Sequence, residues 1–192
     1  MAKLFITPDA LRRDSFALGS KVIADGFYPD FMVSIYRGGT PVSLPMSELF
    51  KYGNIPTDSV SIRTSRYIGI NKTAPVVQVH NLGYLTERIT KTSKILLVDD
   101  VFDSGVSIDA VFNALQDKLG DKMPDDIRTA TVYYKPTRNV TSRTPNYYIH
   151  ESDEWIVFPH EIEGLTIEEI SQYMDSEIGQ IVEDTFPSLT KC

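Results

Sequence analysis

Cysteine is nearly missing from this chain: the only one is Cys192, the last of 192 residues, so no disulfide can close within it and nothing suggests a cysteine-rich metal site. That absence predicts a reducing, cytoplasmic setting. Long apolar runs are missing as well. A membrane-spanning helix needs about 18 or more consecutive apolar residues, and no stretch comes near that length. The opening MAKLFITPDALRRD offers only Leu4, Phe5 and Ile6 before Thr7 and Pro8 interrupt, too short for the apolar region of a secretory signal. No membrane partner is expected.

Positive charge is also scarce. With 19 Lys and Arg against 26 Asp and Glu, the net charge is −7, which argues against a nucleic-acid groove because duplex binding rests on neutralised phosphates. A small local phosphate site stays open. His80, His150 and His160 show no metal-ligand spacing and read as structural or exposed. There is no repeat, no low-complexity tract and no GxGxxG, which removes a dinucleotide-binding enzyme of the Rossmann type.

What is present is an ordinary globular composition, 42% hydrophobic and 23% charged, enough for one domain over residues 1–192 with a sizeable core. Thr7 before Pro8 marks a helix start, and Ala10, Leu11, Ala17, Leu18 and Val22 recur at helical spacing until Asp25 and Gly26. FMVSIY (31–36) is a short apolar run before glycines, and PVSLPMSELFKYG (41–53) reads as a helix entered through proline. Strands are expected at 59–64, 75–80, 94–98, 128–134 and 146–150, with a helix at 107–119. The run TIEEISQYMDSEIGQIVED (166–184) reads as a solvated helical face. Apolar runs alternating with amphipathic helices predict an α/β fold: a mostly parallel twisted sheet flanked by helices, whose ligands sit beyond the carboxyl ends of the strands.

Two clusters stand at such ends. ILLVDDVFDSGVSIDAV (95–111) follows an apolar strand with Asp99, Asp100 and Asp103, then turns through Ser104 and Gly105 into a helix. Such a turn aims backbone N–H groups and the positive end of a helix dipole at an anion, with the Ser104 and Ser107 hydroxyls as further donors. The carboxylates suit sugar hydroxyls or a hydrated Mg²⁺. A strand, turn and capped helix is the plain alternative, weakened by the three acids. YRGGTP (36–41) is the second cluster, where the glycines allow close backbone approach and Arg37 can face a polyanion; a turn beside a surface arginine explains it equally well.

At this point the residues resemble a known family. ILLVDDVFDSGVS (95–107) is similar to the phosphoribosyl pyrophosphate (PRPP) signature of type I phosphoribosyltransferases, and RGG before a helix resembles their pyrophosphate loop. VYYKP (132–136) and DEWIVFPHE (153–161) resemble the base-binding part of the 6-oxopurine branch, which acts on hypoxanthine, guanine or xanthine. The resemblance covers residues 31–161, with a core over about 31–135, hood elements over about 136–165 and a C-terminal helical segment. It implies PRPP and a purine base as partners, Mg²⁺ as cofactor, no nucleic acid, and a homodimer or homotetramer.

Carried over by position, the resemblance puts PRPP on Arg37, Gly38, Gly39 and Thr40 and on Asp99, Asp100, Asp103, Ser104, Gly105, Val106 and Ser107. It makes Asp103 the proton acceptor, Lys135 the partner of purine O6, Trp155 the aromatic over the ring and Ile156 a backbone contact. Asp99, Asp100 and Glu161 lie where the metal is held, largely through PRPP and water. TSRYIGINKTA (64–74) resembles the mobile catalytic loop, through Ser65, Arg66 and Tyr67. Ser104 and Ser107 stand where threonine is common, and His160 where relatives carry a large apolar residue. Adenine or orotate transferases share the PRPP signature but not the lysine and aromatic that follow it here. A PRPP-sensing regulator that binds nucleic acid is disfavoured by charge.

Overall fold

The computed structural model describes residues 3–67 and 76–187, and the chain divides into two compact units, Arg12–Asp153 and Met1–Leu11 with Glu154–Cys192. Among the described residues no helix is long and apolar enough to cross a membrane.

The larger unit is built on a sheet of β2 (Phe31–Tyr36), β3 (Asp58–Tyr67), β4 (Val76–His80), β5 (Lys94–Phe102), β6 (Asp126–Tyr134) and β7 (Tyr147–Glu151). Its spatial order is β4-β3-β2-β5-β6-β7, and every neighbouring pair is parallel except the β3–β4 hairpin. Central strands covered on both faces should be largely apolar, and they are: Phe31–Ile35 and Ile95–Val98 are buried without a break, with Ser34 the one polar residue, its hydroxyl bonded to that of Ser61 at 2.6 Å. α4 (Val106–Leu119) and the short α3 (Gly83–Arg88) close one face, where Ile108, Val111, Leu115 and Leu85 pack with Val33, Ile35, Ile62, Ile95 and Leu97. α2 (Gly39–Tyr52) packs on β2 and β5, and α1 (Pro8–Ala24) lies against it where Gly19 admits Met46 and Leu49.

The connection from β2 through α2 to β3 runs one way along the sheet, and that from β5 through α4 to β6 runs the other. Right-handed crossovers in opposite directions put the two helices on opposite faces, and the carboxyl ends of β2 and β5 open a crevice between them. The expected fold class is the observed one.

The smaller unit pairs β1 (Lys3–Phe5) in parallel with β8 (Trp155–Val157) and adds α5 (Ile167–Tyr173) and α6 (Ser176–Thr185). Phe5 stacks on Tyr173 at 4.2 Å, and the Lys3 ammonium donates to Glu169 at 2.6 Å. Glu169 also completes a capping box with Thr166, which fixes the start of α5. Here the single helical face expected over 166–184 is two helices, because Asp175 caps a new one through the amides of Glu177 and Ile178.

Candidate functional site

β5 runs further than its apolar core. Its register with β6 continues through Asp99↔Thr131 to Phe102↔Tyr134, so Asp99 and Asp100 lie within the strand, not in the turn after it. The turn is Asp103–Gly105. Gly105 takes φ +78°, a left-handed backbone that only glycine adopts at little cost, and starts α4 with no side-chain cap. The first bond of α4 runs from the Asp109 amide to the Gly105 carbonyl, which leaves the amides of residues 106–108 without an intrahelical acceptor. Asp99, Asp100, Asp103, Ser104, Gly105 and Ser107 line a cavity of about 170 Å³ in front of those amides. Its shape and donors suit one phosphate group.

RGG sits on the neighbouring strand end. The Tyr36–Arg37 peptide bond is cis, and the Thr40 amide donates to the Arg37 carbonyl at 3.1 Å as α2 begins. A Cβ on Gly38 would fall on the Asp100 carboxylate, and one on Gly39 would fall on the Val98 carbonyl. Packing against β5 therefore demands both glycines, whatever ligand they also admit. Arg37 and Thr40 are exposed beside them. Asp100, by contrast, is 6% exposed.

Lys135 is the third part. As a lysine ending a strand before Pro136 it could have been a surface residue, yet it is 5% exposed. Its amide donates to the Phe102 carbonyl at 2.9 Å, and its ammonium lies 3.5 Å from Asp103 Oδ2. Burying an ammonium is costly unless an anion accompanies it, and Asp103 is that anion. On the other carboxylate oxygen, Arg138 Nε approaches to 2.9 Å. Sequence reading missed Arg138; the signal was its place one turn after Lys135, in the 3₁₀ turn Pro136–Arg138.

The remaining expected residues are placed as follows. Ser65, Arg66 and Tyr67 are strand rather than loop: β3 runs to Tyr67, pairing these residues with Gln78, Val77 and Val76. The Ser65 hydroxyl bonds His80 Nε2 at 2.9 Å, and residues 68–75 lie outside the described ones. Trp155, Ile156 and Glu161 belong to the smaller unit. Trp155 is 52% exposed, with the Lys3 ammonium 5.5 Å from its ring centre. Ile156 is buried and paired with Leu4. The Glu161 amide donates to the Phe158 carbonyl at 3.0 Å, and His160 stacks on Phe158. Within the larger unit His150 Nε2 lies 2.9 Å from Asp14, a link from β7 to α1.

Known proteins share this fold. Residues 11–164 match the model of the phosphoribosyl transferase domain. Among solved structures, the chain is similar to a purine phosphoribosyltransferase from Pyrococcus horikoshii, at 28% identity and a TM-score of 0.61 over 84% of this chain and 95% of that one. It is also similar to the xanthine-guanine-hypoxanthine phosphoribosyltransferase of Helicobacter pylori, at 23% identity and a TM-score of 0.63 over 84% and 94% of the two chains. A hypothetical protein from Neisseria gonorrhoeae with bound ppGpp shares the fold at 22% identity, with a TM-score of 0.66 over 92% and 97%. No curated protein sequence matches. The family match spans both glycine turns, the acidic strand end and the buried lysine, and on that ground the chain belongs to the phosphoribosyl transferase domain family.

Proposed function

We propose that this protein is a purine-salvage transferase that moves the 5-phosphoribosyl group of PRPP to N9 of a 6-oxopurine, releasing pyrophosphate. The observation that carries the proposal is the side-by-side placement of Lys135 Nζ and Asp103 Oδ2, 3.5 Å apart, with Asp103 also lining the phosphate cavity. O6 and N7–H are neighbours on one edge of a 6-oxopurine, an acceptor beside a donor. A lysine has only donors and an ionised aspartate only acceptors, so with O6 on the ammonium and N7–H on the carboxylate the pair complements that edge.

In this reading the 5′-phosphate accepts from the amides at the start of α4 and from the Ser104 and Ser107 hydroxyls. The ribose hydroxyls donate to Asp99 and Asp100, and the pyrophosphate accepts from Arg37 and the backbone of residues 38–40. As C1 loses pyrophosphate the ribose gains oxocarbenium character, which the carboxylates tolerate, and Asp103 takes the N7 proton as N9 bonds to C1. Trp155 covers the base and the backbone at Ile156 meets its pyrimidine edge, as the resemblance implies. The oxygen-only donor set of Asp99 and Asp100 fits Mg²⁺, with Glu161 assigned to it by resemblance; when bound, Mg²⁺ offsets the charge of the departing pyrophosphate. A cytoplasmic homodimer or homotetramer is part of the same reading.

The test is an assay of hypoxanthine, guanine and xanthine with PRPP and Mg²⁺, read as nucleoside 5′-monophosphate. At least one base should be converted, and excess EDTA should stop the reaction. Turnover unaffected by EDTA, or none with any of the three, overturns the proposal.

A further inference from the structure

The segment Arg138–Arg143 makes no part of that machinery apart from its first residue, yet it meets the PRPP signature at three points and the first turn of α4 at a fourth. Arg138 Nε meets the Asp103 carboxylate at 2.9 Å, and the Val140 amide donates to the Ser104 carbonyl at 3.1 Å. The Thr141 hydroxyl sits where a Cβ on Gly105 would come within 2.5 Å of it, and Arg143 Nε meets Asp109 in the first turn of α4 at 2.9 Å. Arg143 also lies over the ring of Phe112, one turn further along the same helix, at 3.7 Å.

The shortest bonds within this segment come from one side chain, with longer ones between the Thr141 hydroxyl and the Arg143 backbone. Asn139 Oδ1 accepts from both the amide and the hydroxyl of Thr141 at 2.9 Å, while Asn139 Nδ2 donates to the Arg143 carbonyl at 2.7 Å. These bonds join the residue over Gly105 to the residue on Asp109. An exposed loop can fold many ways; this one is fixed internally and bonded to the turn it covers.

We infer that residues 138–143 form a strap that holds the Asp103–Ser107 turn in its anion-binding shape, with Asn139 as its positioning residue. The strap follows Lys135 directly, so the same stretch of chain that presents the base-reading ammonium also sets the phosphate amides. Asn139 touches no substrate. It acts by keeping Val140 on Ser104 and Thr141 on Gly105, and its loss should cost phosphate affinity while sparing contacts to the nucleoside. The inference rests on the phosphoribosyl reading of the cavity, and its test separates the two.

IMP and inosine differ only by the 5′-phosphate, so the ratio of their affinities isolates the cradle. For Asn139→Ala, binding of IMP should weaken by about tenfold or more, the scale of one lost charge-assisted hydrogen bond, with inosine binding unchanged. The KM for PRPP should rise by a similar factor with kcat held within about twofold. Thr141→Val, which keeps the shape over Gly105 but loses the hydroxyl, should behave in the same way, and Thr141→Ser should restore the wild-type ratio. Equal loss of IMP and inosine affinity would mean general destabilisation and would overturn the strap, as would variants with the wild-type ratio. If the wild-type protein itself binds IMP no better than inosine, the phosphate cavity has been misread and both proposals fall.

Discussion

Asp103 carries two cations, Lys135 at 3.5 Å and Arg138 at 2.9 Å, and its chemistry follows from that company. Removing its charge without changing its shape should separate proton transfer from binding. Asp103→Asn is expected to lower kcat by about 10² or more, the usual loss of a general base, with the KM for PRPP little changed. Steady-state kinetics check this, and a variant that loses only PRPP affinity would remove Asp103 from the proton path. Lys135 sets the choice of base. Adenine presents an amino group where 6-oxopurines present O6, which sets donor against donor at a buried ammonium. Sites built to hydrogen-bond one group reject an analogue lacking it by up to about 10⁴. Adenine should therefore be a very poor substrate, and Lys135→Ala should lose activity on 6-oxopurines while narrowing the gap to adenine. Wild-type turnover of adenine within about tenfold of hypoxanthine would refute the role of Lys135.

At the scale of elements, the β5–α4 turn depends on Gly105 twice over. A side chain there would be strained by φ +78° and would also press on the Thr141 hydroxyl and the Phe102 ring, at 2.5 and 2.8 Å. Gly26 shares the positive φ, +70°, but has open space around it. Gly26→Ala should cost only the backbone penalty, about 1 kcal/mol, whereas Gly105→Ala should cost more and also weaken phosphate binding. Thermal unfolding of both variants, with and without IMP, measures the difference; equal losses would mean that the contacts above Gly105 yield freely. In the smaller unit the capping box makes an independent element-scale case. Thr166→Ala should destabilise α5 by about 1 kcal/mol, read from amide exchange in residues 167–173.

For the whole molecule, the carboxylates held low in the fold, Asp25 in the larger unit and Glu168 and Glu169 in the smaller, make part of the stability pH-dependent, and Asp25 and Glu169 show how. Asp25 is held below the usual carboxylate range first by the Tyr147 hydroxyl and then by Arg128, and Glu169 first by the Lys3 ammonium and then by the Thr166 amide. A carboxyl whose folded pKa is depressed contributes fully above its unfolded pKa, and that contribution is lost as pH falls through the folded value. Both contributions should thus be complete above about pH 5 and disappear progressively below about pH 4. The Tm of the wild-type protein should fall over that range, and Asp25→Asn and Glu169→Gln should each start lower at pH 7 and fall less steeply. Parallel curves for wild type and variants would remove these two groups from the acid response.

The sequence by itself determined the fold class, the order of the main elements and the identity of the two loops at strand ends, because apolar runs and glycine-bearing turns are local signals that survive without neighbours. It could not determine which strand ends meet. Strand order is a non-local choice, and only the reversal between β2 and β5 brings RGG onto Val98 and Asp100. Strand length was settled the same way: two acids end an apolar pattern, yet hydrogen bonding from β6 carries β5 on to Phe102. So was Lys135, whose sequence neighbours suit an exposed position, while it is buried and its partner Asp103 comes from the turn that follows β5. β1 and β8, short and distant in sequence, become strands only by pairing with each other, since an isolated three-residue strand buries too little to stand alone. The local chemistry was written in the residues, and the assembly of that chemistry into a site was decided by which strands lie side by side.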